Sequence, residues 1–363
     1  MPDVLTLRQL NRTLLARQHL LARSTMAPAK MVEYLVGMQA QIPLAPYTGL
    51  WSRIAGFDPG LVGRLVASRE LVRLPVMRGT LHLVTAADAL SIRPIVQPVL
   101  TRALMQSSPF GRAVEGIDVD DLVAAGRSIL EESPMSVSEL GRALHARWPQ
   151  YQPMDLAYSV QYRTGLVQLP PRGVWGKTGV AKLTTTTSYL GLPESTETEP
   201  DELVMRYLAA FGPASPRDAQ AWCGLTGLPL VFERLRPRLR EFRDQKGRVL
   251  FDITDATYPD EDEAAPVRFL PDYDNVCLGH ADRTRIVSDA DRQRAGIGTA
   301  VLLVHGFAQA TWKLERKGES ATVQVDEFEP FSKLEQAEIE AEAHELMAFL
   351  APDASHDVRF VHP

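Results

Sequence analysis

Apolar residues fall at helical spacing from the start of the chain. In TLRQLNRTLLARQHLL they occupy positions 7, 10, 14, 15, 20 and 21, one face of an amphipathic helix. PAKMVEYLVGMQAQ, residues 28–41, predicts a second helix with Pro28 in its first turn, ended by Pro43 because the residue before a proline is pushed out of helical geometry. APYTGLWSRI and DPGLVGRLVAS predict two more, the latter opened by Asp58 as cap and Pro59 as first helical residue. LVRLPVMRGTLHLVT then changes period: two short extended runs, parted at Val76 to Arg78.

That order recurs. A helix at about 118–131 is followed by SVSELGRALHARW, opened by a Ser136–Glu139 capping box, then by PMDLAYSVQYRTG and the strand-like LVQLPPRGVWGKTGVAKLTTTTSYL. Between about 200 and 254 come DELVMRYLAAFGPASPRDAQAWCGL, with Ser215 and Pro216 opening its second helix, then LVFERLRPRLREF and QKGRVLFDI. Helices ending in a two-stranded hairpin are the winged-helix pattern, and three in series support one another. The acidic, Pro-rich ATYPDEDEAAPV predicts a linker or exposed loop, and the segments after it predict a small β-rich unit. The terminal helix, LEQAEIEAEAHELMAFL, is expected to pack Leu334, Ile339, Leu346 and Leu350 and turn its glutamates to water. The predicted class is α+β, mainly α. Its regions are 1–86, 87–198 with a basic wing hairpin, 199–256, and 264–363.

Composition narrows the function. At 363 residues, 45% hydrophobic and 23% charged, the chain is expected to fold into two or three compact domains. Its longest apolar runs, such as AVLLV at 300–304, are strand-sized, and arginines interrupt the N-terminal segment, so neither a membrane span nor a signal peptide is expected. The expectation is a cytoplasmic monomer. Cys223 and Cys277 stand far apart with no CxxC, which predicts reduced thiols and no tightly held metal or other cofactor. No Walker loop, GxGxxG, GxSxG or HExxH occurs. The net charge of −6 hides an asymmetry: residues 1–250 hold 29 Lys and Arg against 22 Asp and Glu, a net of +7, while residues 251–363 hold 10 against 23, a net of −13. A basic body fits a polyanion, and serial winged helices make double-stranded DNA the leading candidate, such folds also serving protein contacts.

Several stretches can carry the chemistry. In PRGVWGKTGVAK, Arg172, Lys177 and Lys182 surround Trp175; such a hairpin can pair with phosphates and wedge its aromatic against bases, or its tryptophan can simply cover the core. Alternation in RGTLHLV puts Arg78, Thr80 and His82 on one face of a strand, where they can line a cleft. RLRPRLR, residues 234–240, is either a phosphate contact or a solvated surface. GMQAQIPLAPY sets Gln39 and Gln41 either side of one alanine.

Four segments together, LVGMQAQIPLAPYTGLWSR, LVRLPVMRGTLHLVTAADAL, FLPDYDNVCLGHADRTRI and VLLVHGFAQATWK, resemble the AlkZ/YcaQ family of bacterial winged-helix DNA glycosylases. The resemblance spans residues 35–313 and implies three tandem winged helices forming a C-shaped scaffold around DNA. The Gln, apolar, Gln motif marks the AlkZ-like branch; the YcaQ-like branch has Asp at the second position. It implies Gln39 and Gln41 as catalytic residues, with His280 and Arg283 of the GHADR string joining the DNA-binding set. The implied activity is monofunctional hydrolysis of the N-glycosidic bond of bulky alkylated purines, interstrand crosslinks among them, in base excision repair or self-resistance to a genotoxic natural product.

Two residues that cannot titrate are chemically sufficient for that task. Alkylation at guanine N7 or adenine N3 makes the base cationic and weakens its glycosidic bond. The protein then has to hold a water and stabilise an oxocarbenium-like sugar, which an amide dipole can do without changing protonation state. On an ideal helix residues two apart point about 200° from each other, so the pair is expected to face one cleft where the helix unwinds before Pro43. The competing function is DNA binding without chemistry, by a regulator or an adduct-sequestering resistance protein.

Overall fold

The computed structural model describes residues 3–362. Its strands are β1 (Asp3–Leu5), β2 (Met38–Gln39), β3 (Leu71–Pro75), β4 (Leu81–Thr85), β5 (Leu166–Gln168), β6 (Leu183–Thr185), β7 (Leu239–Asp244), β8 (Val249–Ile253), β9 (Arg268–Phe269), β10 (Val301–Val304), β11 (Phe307–Lys317), β12 (Ser320–Glu327) and β13 (Ser355–Val361). They form three sheets, ordered β2-β4-β3-β5-β6, β1-β7-β8 and β13-β12-β11-β10-β9, among helices that carry much of the chain.

The first sheet joins strands of the first and second regions, because Arg73 of β3 pairs with Gln168 of β5. β1 pairs parallel with β7, so the start of the chain belongs to the sheet of the third region. Arg17, on the helix Leu7–Arg17, fixes that attachment with a bidentate bond to buried Asp252, at 2.8 and 2.7 Å. The acidic segment predicted as a linker or exposed loop is a loop that lies across the same helix: Arg8 and Arg12 donate to the carbonyls of Glu261 and Glu263, each at 2.7 Å.

The predicted caps form. Asp58 caps Pro59–Ala67, Ser136 and Glu139 close a capping box on Val137–His145, and Ser215 with Asp218 does so on Pro216–Cys223. In the third region the helices Asp201–Phe211, Pro216–Cys223 and Leu228–Leu235 precede the β7–β8 hairpin and bury Tyr207, Phe211 and Trp222 against one another. The RLRPRLR arginines are largely neutralised: Arg234 pairs with Asp201 and Glu199, Arg236 with Glu233 and Glu241, and Arg240 with Asp3.

Two expectations are corrected. The second helix runs only Pro28–Tyr34, seven residues short of the predicted end, because Val36 (φ 57°) and Gly37 (φ 91°) take left-handed conformations that no helix accommodates. The chain then becomes β2. In the terminal helix, Lys333–Leu350, the buried stripe is Ile339, Ala343, Leu346 and Met347, whereas Leu334 is 71% exposed. Five residues from Ile339 is about 140° around the helix, so Leu334 cannot share that stripe.

Candidate active site

The turn at Val36–Gly37 aims the glutamines. β2 pairs antiparallel with β4, placing Met38 opposite Leu83 and Gln39 opposite His82, and the Ala40 amide continues the ladder to the Leu81 carbonyl at 2.7 Å. β2 ends at Gln39 and the chain bends at Gln41, whose side chain reaches the Leu81 N–H of β4, while Ala40 is buried among Met31, Val32, Tyr47 and Leu50. The helix predicted to unwind before Pro43 has already ended at Tyr34, and Gln39 sits on a strand.

Both amide oxygens are held. Gln39 Oε1 accepts from the Arg78 guanidinium at 2.6 Å, and Gln41 Oε1 accepts from the Leu81 N–H at 3.0 Å. Each partner has only hydrogens to offer, so the oxygen, and not the nitrogen, must face it. Gln41 is exposed at the surface; Gln39 is buried, at 6% exposure. Arg78 sits in a single helical turn between β3 and β4 with φ 56°, and its other bonds run to the Trp222 carbonyl and, at 3.2 Å, to Asn275 Oδ1. Asn275 Nδ2 in turn points to the Gly37 carbonyl at 3.4 Å, a long bond that ties the brace back to the turn before β2. Burial lowers the Arg78 pKa to about 10, which leaves it charged at neutral pH.

Gln39, Met38 and Gly37 line one wall of a cleft of about 20 Å³, and Asp272, Tyr273 and Asn275 line another. That volume suits about one water molecule. The second wall is the LPDYDN string. Buried Arg53 holds Asp274 bidentately at 2.9 and 2.8 Å, and Tyr273, at φ 60°, bonds through its amide to the Gly298 carbonyl. Asp272 has no arginine or lysine partner among the described ion pairs, and burial raises its pKa above the usual carboxylate value. Sequence spacing does not point to Asp272 and Asn275 as site residues, because they share the cleft with Gln39 across more than 230 residues of chain. Both cysteines are buried and unpaired, and no cluster of three or more His, Cys, Asp or Glu among the described residues is placed to hold a metal ion.

The remaining expected site residues divide. Arg78 and His82 lie beside Gln39, but neither is free for DNA. His82 is wholly buried, donates from Nδ1 to the Thr80 carbonyl at 2.8 Å, and is pushed down to a pKa of about 3 by burial and by Arg78. Thr80 is half-buried, its hydroxyl donating to the Met77 carbonyl. His280 is a core residue as well, donating from Nε2 to the Phe211 carbonyl at 3.0 Å. Arg283 directs its guanidinium to the carbonyls of Cys277 and Gly296, a brace inside the fold. Trp175 covers the core: its ring lies 5.2 Å from Tyr47 and stacks on Phe349 at 4.9 Å, while Tyr47 bonds to Gly173 and to the Trp175 amide. The wing between β5 and β6 is thus an irregular loop docked on the first region. It leaves Lys177 and Lys182 exposed and Arg172 half-exposed, with a 3.3 Å bond to Gly179.

The fold defines an α+β class in which helices and short hairpins alternate around the cleft that Gln39 lines. The family described as DNA glycosylase AlkZ-like matches residues 32–349, and the chain belongs to that family. It is 27% identical over 324 residues to the interstrand DNA cross-link repair glycosylase of Streptomyces sahachiroi, covering 82% of this chain and 85% of that one. Its fold is similar to that of the solved Streptomyces sahachiroi DNA glycosylase AlkZ, with a TM-score of 0.80 at 23% identity over 99% of this chain and 100% of the other. No helix among the described residues is long and apolar enough to cross a membrane.

Proposed function

We propose that this chain is a monofunctional DNA glycosylase that hydrolyses the N-glycosidic bond of bulky cationic purine adducts, N7-alkylguanine above all, including those joined in interstrand crosslinks. One observation carries the proposal: Gln39 lines a cleft the size of a water molecule and Gln41, two residues on, holds an exposed amide against β4, with no titratable group in the motif. The C1′–N9 bond breaks with its electron pair moving into the purine, which loses its positive charge. Water adds to C1′ and releases a proton to solvent, leaving an abasic site. Gln41 is exposed and keeps a second oxygen lone pair open, which suits it to hold that water. The motif contains no lysine, so no Schiff base forms there and the strand stays intact. Lesion shape and phosphate contacts, in place of base readout, fit an enzyme that works in many sequence contexts and serves repair or self-resistance.

The test is incubation with a duplex bearing one N7-alkylguanine, followed by alkali to reveal abasic sites. Wild type is expected to yield alkali-labile product and no cleavage before alkali. Gln41→Ala is expected to lose on the order of a hundred-fold in single-turnover rate while binding DNA as tightly. Retention of adduct on tightly bound DNA, with no abasic product, would establish a sequestering protein instead.

A further inference from the structure

Resting on the glycosylase reading, the geometry points to Gln39 working as a hydrogen-bond donor through its amide nitrogen, with Arg78 and Asn275 as the positioning residues that hold it that way round. Gln39 Oε1 faces a charged guanidinium at 2.6 Å, and Arg78 offers only donors, so the orientation of the amide is forced. Nε2 has no partner among the described residues, yet it is not among the buried polar atoms left without one, so it stays reachable by solvent on a residue that lines the cleft. Arg78 is itself fixed from two further sides, by the Trp222 carbonyl and by Asn275 Oδ1. A charge-assisted bond draws electron density from the oxygen and makes the N–H a stronger donor.

A donor at this place fits the chemistry better than an acceptor. A guanidinium beside the oxygen opposes any use of that oxygen to stabilise a cationic sugar. As the C1′–N9 bond breaks, the leaving purine changes from cation to neutral base, and its ring nitrogen and carbonyl acceptors become more basic. A hydrogen bond given to the base therefore strengthens on the way to the transition state, which is the condition for raising rate and not merely affinity. The two glutamines divide the work: Gln41 holds water with the lone pair it keeps, and Gln39 donates to the departing purine.

Gln39→Glu separates donor from acceptor. The variant keeps the shape and the Arg78 partner but replaces the amide NH2 by oxygen. Single-turnover excision should fall at least on the order of a hundred-fold, to the level of Gln39→Ala, with the melting temperature held or raised by the new ion pair. Arg78→Met should slow the wild-type background yet cost nothing further in Gln39→Ala, and its DNA affinity and salt dependence should stay unchanged. If Gln39→Glu excises at the wild-type rate or faster, the oxygen is the working atom and the inference is overturned. Additive losses in the double variant, with weaker and less salt-sensitive DNA binding, would make Arg78 a phosphate contact instead. Should Arg78→Met not fold, Gln39→Glu decides alone. A wild-type chain that releases no base overturns the glycosylase assignment itself, whereas excision by wild type beside a fully active Gln39→Glu overturns only the donor role.

Discussion

Gly37 shows how much of this site hangs on one backbone angle. Its φ of 91° turns the chain out of the helix into β2, and a Cβ there would stand 2.6 Å from the Val84 side chain. Gly37→Ala is therefore expected to cost about 1–3 kcal/mol by thermal melting and to reduce excision further by shifting Gln39 relative to Arg78. Loss of stability without loss of rate would show that β2 tolerates the shift. The same residue explains why the glutamine geometry was only half legible. Gln-x-Gln stood out in the sequence and Pro43 looked like its helix stop, but the left-handed turn begins at Val36, a β-branched residue that gives no sign of positive φ.

Among the elements, the wing between β5 and β6 decides between the two readings that the sequence leaves open for Trp175. Trp175 anchors it through Tyr47 and Phe349, and Lys177 and Lys182 stay exposed. Lys177→Gln with Lys182→Gln is expected to weaken duplex binding equally for all sequences and to reduce the salt slope of log affinity by about 2, with excision at saturating protein unaffected. An unchanged slope, measured by salt titration, would place the DNA elsewhere. The aromatic was visible in the sequence; its partner Phe349, on the terminal helix 174 residues away, was not. Capped helices were the best-predicted elements, because a cap and its helix are local in sequence. Sheet membership was not predicted: β1 with β7 and β3 with β5 join distant segments.

For the molecule as a whole, the buried histidines set a pH limit. His82 is pushed down to a pKa of about 3, and burial with the nearby Arg285 charge lowers His280 as well. In the unfolded chain both take protons near pH 6.5, while the folded chain refuses them until far lower pH. Unfolding thus binds protons, and stability is full above about pH 6.5 and falls as the pH drops toward 3. Melting temperature should decline steadily over that window. His82→Asn should remove one proton's share of the slope, about 1.4 kcal/mol per pH unit. A variant as acid-sensitive as wild type would assign the decline to other groups.

What the sequence determined by itself was local or cumulative: the helices with their caps, the serial hairpins, the basic body with its acidic end, and the family likeness carried by four long strings. Each is written in neighbouring residues or in sums over many. Tertiary structure alone decided which polar groups face the cleft and which are bricks. His82, His280 and Arg283 went inward because the fold supplies carbonyls that satisfy them there. Arg78 became a brace for Gln39 because a turn between two strands brings it within 2.6 Å of an amide 39 residues away. Burial and hydrogen-bond partner are properties of where the chain returns to itself, and no spacing along it encodes them.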